Sequence, residues 1–245
     1  MQIRINKFLA DKGIASRRAI DAMIADGRIT VNGGRLEKPG YLVQKGDRIT
    51  IDGKAVSAEQ KKEYVYILLN KPAGCITTSK DTHGRKTVLD YVKIRKRIFP
   101  IGRLDKDTTG VLPLTNDGDL ANALMHPRHE VEKVYRAYVN KPFSAADKKR
   151  FESGIMLDNR SARGGSALGG KTAPCTTRFF RNNRRDVIIT IHEGRNRQIH
   201  RMFNALGVTV ERLDRMSYAG LTVGRLKQGE WRHLSPQEIK HIKSL

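Results

Sequence analysis

The chain has 245 residues, with 47 Lys and Arg against 25 Asp and Glu, a formal net charge of +22. That length excludes a disulfide-stapled miniprotein and suits a medium domain joined to a small one, and a hydrophobic fraction of 38% supplies a core and excludes wholesale disorder. Apolar runs such as Val65–Leu69 fall far short of the roughly 20 residues of a membrane span. The start, Met1-Gln2-Ile3-Arg4, lacks the apolar stretch of a secretory signal. Cys75 and Cys175 form no C-x-x-C pair and read as reduced thiols of a cytoplasmic protein. The basic excess runs through the first 58 residues and the remainder alike. It predicts a polyanionic partner, nucleic acid rather than membrane, because no lysine-rich amphipathic anchor is visible.

Residues 1–58 read as a compact module. Ile5, Phe8 and Leu9 recur at helical spacing, and Gly13 ends that helix. Ser16 caps a second helix whose apolar face is Ala19, Ile20, Met23 and Ile24. Two short strands, 28–31 and 48–51, carry the turn dipeptides Asn32-Gly33 and Asp52-Gly53. Arg17 and Arg18 fall in the first turn of the second helix, where the helix dipole disfavours cations. Paired arginines there fit a phosphate contact shared with free backbone amides. The polar stretch 59–63 reads as a linker, and 64–245 as a larger domain.

The segments Arg4-Ile5-Asn6-Lys7-Phe8-Leu9-Ala10, Gly13-Ile14-Ala15-Ser16-Arg17-Arg18-Ala19 and Gly27-Arg28-Ile29-Thr30-Val31-Asn32-Gly33 resemble the alpha-L RNA-binding motif. The resemblance implies binding of structured RNA through backbone and shape.

Beyond the linker, Tyr64–Leu69 and Ile98–Arg103 read as strands, the second running into Leu104-Asp105. Asp117 or Gly118 opens a helix carrying Leu120, Ala121, Leu124 and Met125. Along 133–140, Val134, Arg136 and Tyr138 alternate with Tyr135, Ala137 and Val139. Ser144 caps another helix. Strands 178–180 and 187–192 precede an amphipathic helix with Ile199, Met202, Phe203 and Leu206 on one face. Ser235-Pro236-Gln237-Glu238 is a capping box for a C-terminal helix. The irregular order predicts an α+β fold, a mixed or antiparallel sheet with few helices. Asn159–Lys171 is read as a surface loop. Pro113 fits an edge strand or a bulge. No apolar stripe is left over, so a monomer is expected.

The most distinctive segment is Gly102-Arg103-Leu104-Asp105-Lys106-Asp107-Thr108-Thr109-Gly110. A carboxylate delivered by a strand end to a sharp turn can serve as nucleophile, general base or metal ligand. In extended geometry Arg103 emerges on the same face as Asp105 and favours its ionised form. Residue types alone favour the plainer reading, an Asx-turn aspartate.

Leu69-Asn70-Lys71-Pro72-Ala73-Gly74, Gly102–Gly110, Leu114–Ala121, His126–Tyr135 and Glu193–Met202, in this order behind an alpha-L module, resemble the RsuA-type ribosomal RNA pseudouridine synthases. The resemblance implies isomerisation of a uridine in ribosomal RNA to pseudouridine, with no cofactor, after the base leaves its stack. It makes Asp105 the catalytic aspartate and Tyr135 the aromatic residue under the base. The family's usual Arg or Lys beside the aspartate falls on His200, a departure that brings Arg103 and Arg201 in as alternative cations. Arg4, Lys7, Arg17, Arg18 and Arg28 are expected to contact RNA from the first module, and Lys71, Arg128, Arg195 and Arg197 from the second. A Gly170-Lys171-Thr172-Ala173-Pro174 segment tilts the target toward the large subunit.

Rival chemistries fit less well. Asp105 with Asp107, or Asp117 with Asp119, lacks a distant acidic cluster for magnesium. His126 and His129 lack further zinc ligands, with Pro127 between them. No Walker-type loop occurs. A ribosome-associated protein that grips RNA without altering it is the alternative from another class. A cleft holding Asp105, Tyr135 and a cation together separates the two.

Overall fold

Short-range chemistry sets the first elements. The computed structural model describes residues 3–56, 63–79, 81–159 and 169–245. Residues 59–62 of the expected linker and 160–168 of the expected loop lie outside the described residues. In chain order come β1 (Ile3–Arg4), α1 (Ile5–Asp11), α2 (Arg17–Ala25), β2 (Ile29–Val31), β3 (Gly34–Arg35), β4 (Leu42–Val43), β5 (Ile49–Ile51) and β6 (Lys54–Ala55). Ser16 Oγ accepts from Ala19 N at 3.1 Å, satisfying one free amide of α2. Asn32 and Gly33 both take positive φ, 52° and 85°, the requirement of a tight hairpin turn between β2 and β3. Ile5, Leu9, Ile20, Ile24 and Ile29 are buried together, each worth roughly 1.5–3 kcal/mol.

The chain divides into two compact units, Met1–Tyr64 with Arg95–Arg97, and Val65–Ile94 with Ile98–Leu245. The three residues 95–97 group with the first unit, a departure from a division into contiguous domains. Within that unit Lys96 pairs with Glu63 and Arg97 donates to Ala15 O at 3.3 Å.

The second unit continues with β7 (Tyr66–Lys71), β8 (Phe99–Pro100), β9 (Thr109–Thr115), α3 (Gly118–Met125), β10 (Lys133–Val139), α4 (Ala145–Glu152), β11 (Met156–Leu157), β12 (Gly170–Lys171), β13 (Thr176–Phe180) and β14 (Asn183–Ile191). It ends with α5 (Gln198–Asn204), β15 (Val210–Tyr218), β16 (Leu221–Thr222), β17 (Trp231–His233) and α6 (Pro236–Lys243). Nine strands form one sheet in the order β13-β14-β10-β15-β9-β7-β17, with β16 on β15 and β8 on β9. Among the described strands of this sheet only the β15–β9 pairing is parallel, so the fold is α+β with a mixed sheet. One face, through Ile67, Leu69, Tyr135, Ala137 and Ile189, packs on Phe151 of α4 and on Ile199, Met202 and Phe203 of α5. The opposite face, through Tyr66, Leu68, Val111 and Tyr218, packs on Leu120 and Leu124 of α3 and Ile242 of α6. Asp117 joins strand to helix there, its Oδ1 accepting from Leu120 N and its Oδ2 from the buried Tyr66 hydroxyl. No described helix is long and apolar enough to cross a membrane, and both cysteines are free and buried.

Two expectations are corrected. Pro113 lies on an interior strand in unbroken register, opposite Leu68. Its carbonyl accepts from Ile101 N, and a residue's N–H and C=O point to the same strand edge. The missing donor therefore faces the short β8 side, and the ladder to β7 loses nothing. The strand expected over 98–103 is confined to Phe99–Pro100, because Gly102, at φ 75°, bends the chain before Asp105.

Candidate active site

Asp105 stands in the loop between β8 and β9, held from behind by the segment after β7. Lys71, at the end of β7, is fully buried. Its ammonium donates to Pro72 O at 3.0 Å, Lys106 O at 3.0 Å and Thr108 O at 2.8 Å. Gly74 N donates to Lys106 O. Thr77 Oγ1 donates to Leu104 O at 2.8 Å and accepts from Leu104 N at 3.2 Å. Thr108 N closes the turn on Asp105 O at 3.2 Å. Gly110 follows at φ 102°, where an added Cβ would lie 2.3 Å from Arg215 O. Only glycine allows β9 to meet β15 this closely.

The loop presents Asp105 to a cleft of about 1310 Å³. Arg103, Asp105, Tyr135, His200 and Arg215 all line it. The Asp105 side chain keeps 34% of its exposure, enough to meet a ligand. His200 is the cation-position residue nearest it, with Nδ1 4.0 Å from Asp105 Oδ2, beyond hydrogen-bond reach. That nitrogen is buried without a hydrogen-bond partner. Burial, then Arg197, holds the imidazole below its usual pKa, against the opposing pull of Asp105 and Asp107. His200 is therefore neutral at pH 7. Tyr135 is buried on β10, opposite Ile189 of β14 and Arg215 of β15.

Of the two alternative cations, Arg103 lines the cleft and Arg201 does not. Arg103 is exposed on the wall of the same cleft as Asp105 and forms no ion pair with it among the described residues. The Arg201 guanidinium turns to the carbonyls of Asn196 and Asp158.

Two cations of the cleft, the buried Arg215 and the half-buried Lys133, were not singled out from the sequence. Arg215 is 2% exposed. Its Nε donates to Val111 O at 2.7 Å, its Cζ lies 4.7 Å from the Tyr218 ring centroid, and its Nη2 is buried without a partner. Lys133 donates to Val131 O and His192 O. Burial, then the charge of Arg215, pushes its pKa down to about 8, with Glu193 opposing. Burial likewise pushes the Tyr218 phenol up to about 12, and its hydroxyl donates to Leu124 O at 2.8 Å. A signal for both cations existed. Lys133 lies two residues from Tyr135 on one strand, and Arg215 two from the buried Leu213. A charge in a buried register needs a reason. The cleft thus offers a carboxylate, an aromatic face and two cationic donors, Lys133 and Arg215, neither of which forms an ion pair with a carboxylate among the described residues.

The expected RNA contacts divide. Arg4, Arg17, Arg18, Arg128 and Arg197 are exposed, and Lys7 is half-buried. Arg28 is exposed but forms a two-pronged pair with Asp52 at 2.9 and 2.6 Å, with which a phosphate must compete. Lys71 is corrected, because its burial and three carbonyl partners make it part of the scaffold. Arg195 is corrected too. Its guanidinium donates to Glu193 and to the carbonyls of Gly169, Gly170 and Lys171, tying β12 to the start of α5. The helix expected from Arg197 begins at Gln198, with Arg197 itself left-handed at φ 46°.

Comparison with known proteins places this geometry. A profile of the RNA pseudouridylate synthases matches residues 65–205, and a profile of the S4 domain matches residues 3–49. The chain is 41% identical to ribosomal large subunit pseudouridine synthase B of Bacillus subtilis (strain 168), over 99% of this chain and 96% of that one. It is 34% identical to the dual-specificity RNA pseudouridine synthase RluF of Escherichia coli (strain K12), over 97% and 77%. A crystal structure of a pseudouridylate synthase superposes with a TM-score of 0.69 at 27% identity, covering 98% of this chain and 99% of that one. The chain belongs to the RNA pseudouridylate synthase family, in the RsuA-type branch that carries an S4 domain ahead of the catalytic unit.

Proposed function

We propose that this chain converts a uridine of large-subunit ribosomal RNA to pseudouridine, with Asp105 as the reacting carboxylate. The observation that carries the reading is Asp105, half-exposed at a cleft that also holds the buried Tyr135 ring. The large-subunit assignment leans on the name of the Bacillus subtilis relative. The flipped uracil lies on Tyr135. Its bond from N1 to the sugar breaks, the ring turns, and C5 joins the sugar. C5 then loses its proton and N1 gains one. Asp105 serves equally well in any of three first steps: addition to the ring, attack on the anomeric carbon, or proton removal from the sugar. Lys133 and Arg215 face the pyrimidine oxygens, where charge gathers as the base departs. The test is carbodiimide mapping of protein-free large- and small-subunit ribosomal RNA incubated with the protein. New pseudouridine in the large-subunit RNA alone is the expected result. New sites confined to the small-subunit RNA overturn the assignment, and none in either overturns the activity.

His200 gives this chain its own pH response. Asp105 has no cation at hydrogen-bond distance while His200 is neutral. Acidification charges the imidazole, and Asp105 gains an ion pair. The rate is expected to rise as pH falls below about 6.5, by roughly 5-fold once the imidazole is fully charged, the worth of one partly screened pair. His200→Arg removes the rise by supplying a permanent charge. Stability moves the other way. The folded-state pKa lies below the ordinary 6.5, so the unfolded chain binds the extra proton and stability falls over the same acid range. Single-turnover rates at saturating RNA, set beside melting temperatures, check both signs. An equal acid rise in His200→Arg refutes the assignment.

A further inference from the structure

Among the described residues of the second unit, one face of the sheet is only half covered by apolar packing. α3 and α6 close it over β7, β9 and the end of β15. No residue of β10, β13 or β14 joins that apolar cluster. There the outward positions include Arg178 and Phe180 of β13, Asp186 and Ile188 of β14, Arg136 and Tyr138 of β10, and Arg212 and Asp214 of β15, the last accepting from Thr109 Oγ1. Arginines do the covering. Ile188, 3% exposed, lies in register between Arg178 and Arg136, whose stems can shield it. Arg136 and Arg181 stack on Phe180, Cζ to ring centroid 3.9 and 5.3 Å. Arg185 and Arg212 stack on Tyr138 at 4.9 and 4.7 Å.

Local acids neutralise part of this charge. Asp186 takes Arg136 in a two-pronged pair, and Glu211 meets Arg185 at 3.4 Å. Arg178, Arg181, Arg184 and Arg212 are exposed and have no carboxylate partner among the described residues. None of the four lines the cleft. Two of the four, Arg181 and Arg212, lie on rings, and exposed planar cations on an open sheet match the phosphate oxygens of an RNA backbone.

We propose that this arginine-covered half-sheet is a second RNA-binding surface, which grips the backbone of the substrate RNA away from the flipped nucleotide. It rests on the reading of ribosomal RNA as substrate, but it makes its own prediction. Arg178→Gln, Arg181→Gln, Arg184→Gln and Arg212→Gln together keep stems and rings in place. Binding of protein-free large-subunit ribosomal RNA is measured against salt, and the slope of log K on log salt is expected to become shallower by about 3. Affinity near 0.15 M salt falls at least about 10-fold, and the rate at saturating RNA is unchanged. If the combined variant fails to fold, Arg178→Gln and Arg212→Gln singly should each reduce the slope by about 0.7 to 0.9. An unchanged slope overturns the proposal. So does lost binding of polyglutamate with RNA binding intact, which would mark an acidic protein surface as the partner. A wild-type protein that makes no pseudouridine, yet shows the change of slope, defeats the catalytic reading and leaves this surface standing.

Discussion

Asp105→Asn is expected to slow tritium release from C5-labelled uridine in ribosomal RNA by more than about 1000-fold, with RNA affinity within about 2-fold of wild type. The contrast follows from how the residue is held. Its loop position is fixed by backbone: Thr108 N bonds Asp105 O, and Lys71 and Gly74 secure the carbonyl of Lys106. The carboxylate itself contributes little to that framework. The one ionisable side chain recorded within 4.0 Å of it, His200, is neutral at pH 7. Asparagine matches its shape, so the cleft and its cationic floor persist. It cannot add to a ring, attack the anomeric carbon or take a proton, so every version of the first step fails. Single-turnover release at saturating RNA separates chemistry from binding. A variant that releases tritium within 10-fold of wild type would remove Asp105 from the reaction, whatever the fold.

What the residues announced in advance was local. Ser16, Asp117 and Ser235 cap their helices where their spacing placed them, because capping is a contact over three residues. The two faces of β10 followed from alternation alone, Tyr135 inward and Arg136 outward. The errors came where the deciding partner is remote. Lys71 reads as a surface lysine until the carbonyls of Lys106 and Thr108, more than thirty positions on, close over it. Arg195 reads as an RNA contact until three carbonyls at 169–171 take its donors. Arg215 escapes a reading of the sequence, although its place two residues from Leu213 is a signal, because the carbonyl that takes its Nε belongs to Val111, 104 positions earlier on β9. Pro113 was legible as an anomaly but not as an interior position, since only the pairing of β8 shows which edge lacks a donor. The motif around Asp105 could be read directly, but not the bend at Gly102 that turns it into the cleft.

Lys71→Met is the variant expected to cost the second unit most, about 3 kcal/mol. The ammonium is buried, and its removal orphans the Thr108 carbonyl, at roughly 1–3 kcal/mol for an acceptor left unsatisfied, and strips a charged donor from Pro72 O and Lys106 O, which keep Cys75 Sγ and Gly74 N. Relief from burying a charge offsets part of that, since methionine carries no desolvation penalty. A unit of this size should melt about 6–12 °C lower. The pH dependence identifies the cause. Burial, the first of its influences, holds the Lys71 pKa below the ordinary 10.5, so above the folded value the unfolded chain binds more protons and stability rises with pH up to about 10.5. That alkaline gain is present in the wild type and disappears with Lys71. Function should separate along the same line. A loosened 104–108 loop misplaces Asp105 without touching the exposed arginines, so kcat falls more than KM rises. Melting unchanged from wild type, or a loss confined to KM, would mean that the loop holds its shape without the buried lysine. Lys71 would then have no part in setting the reacting carboxylate.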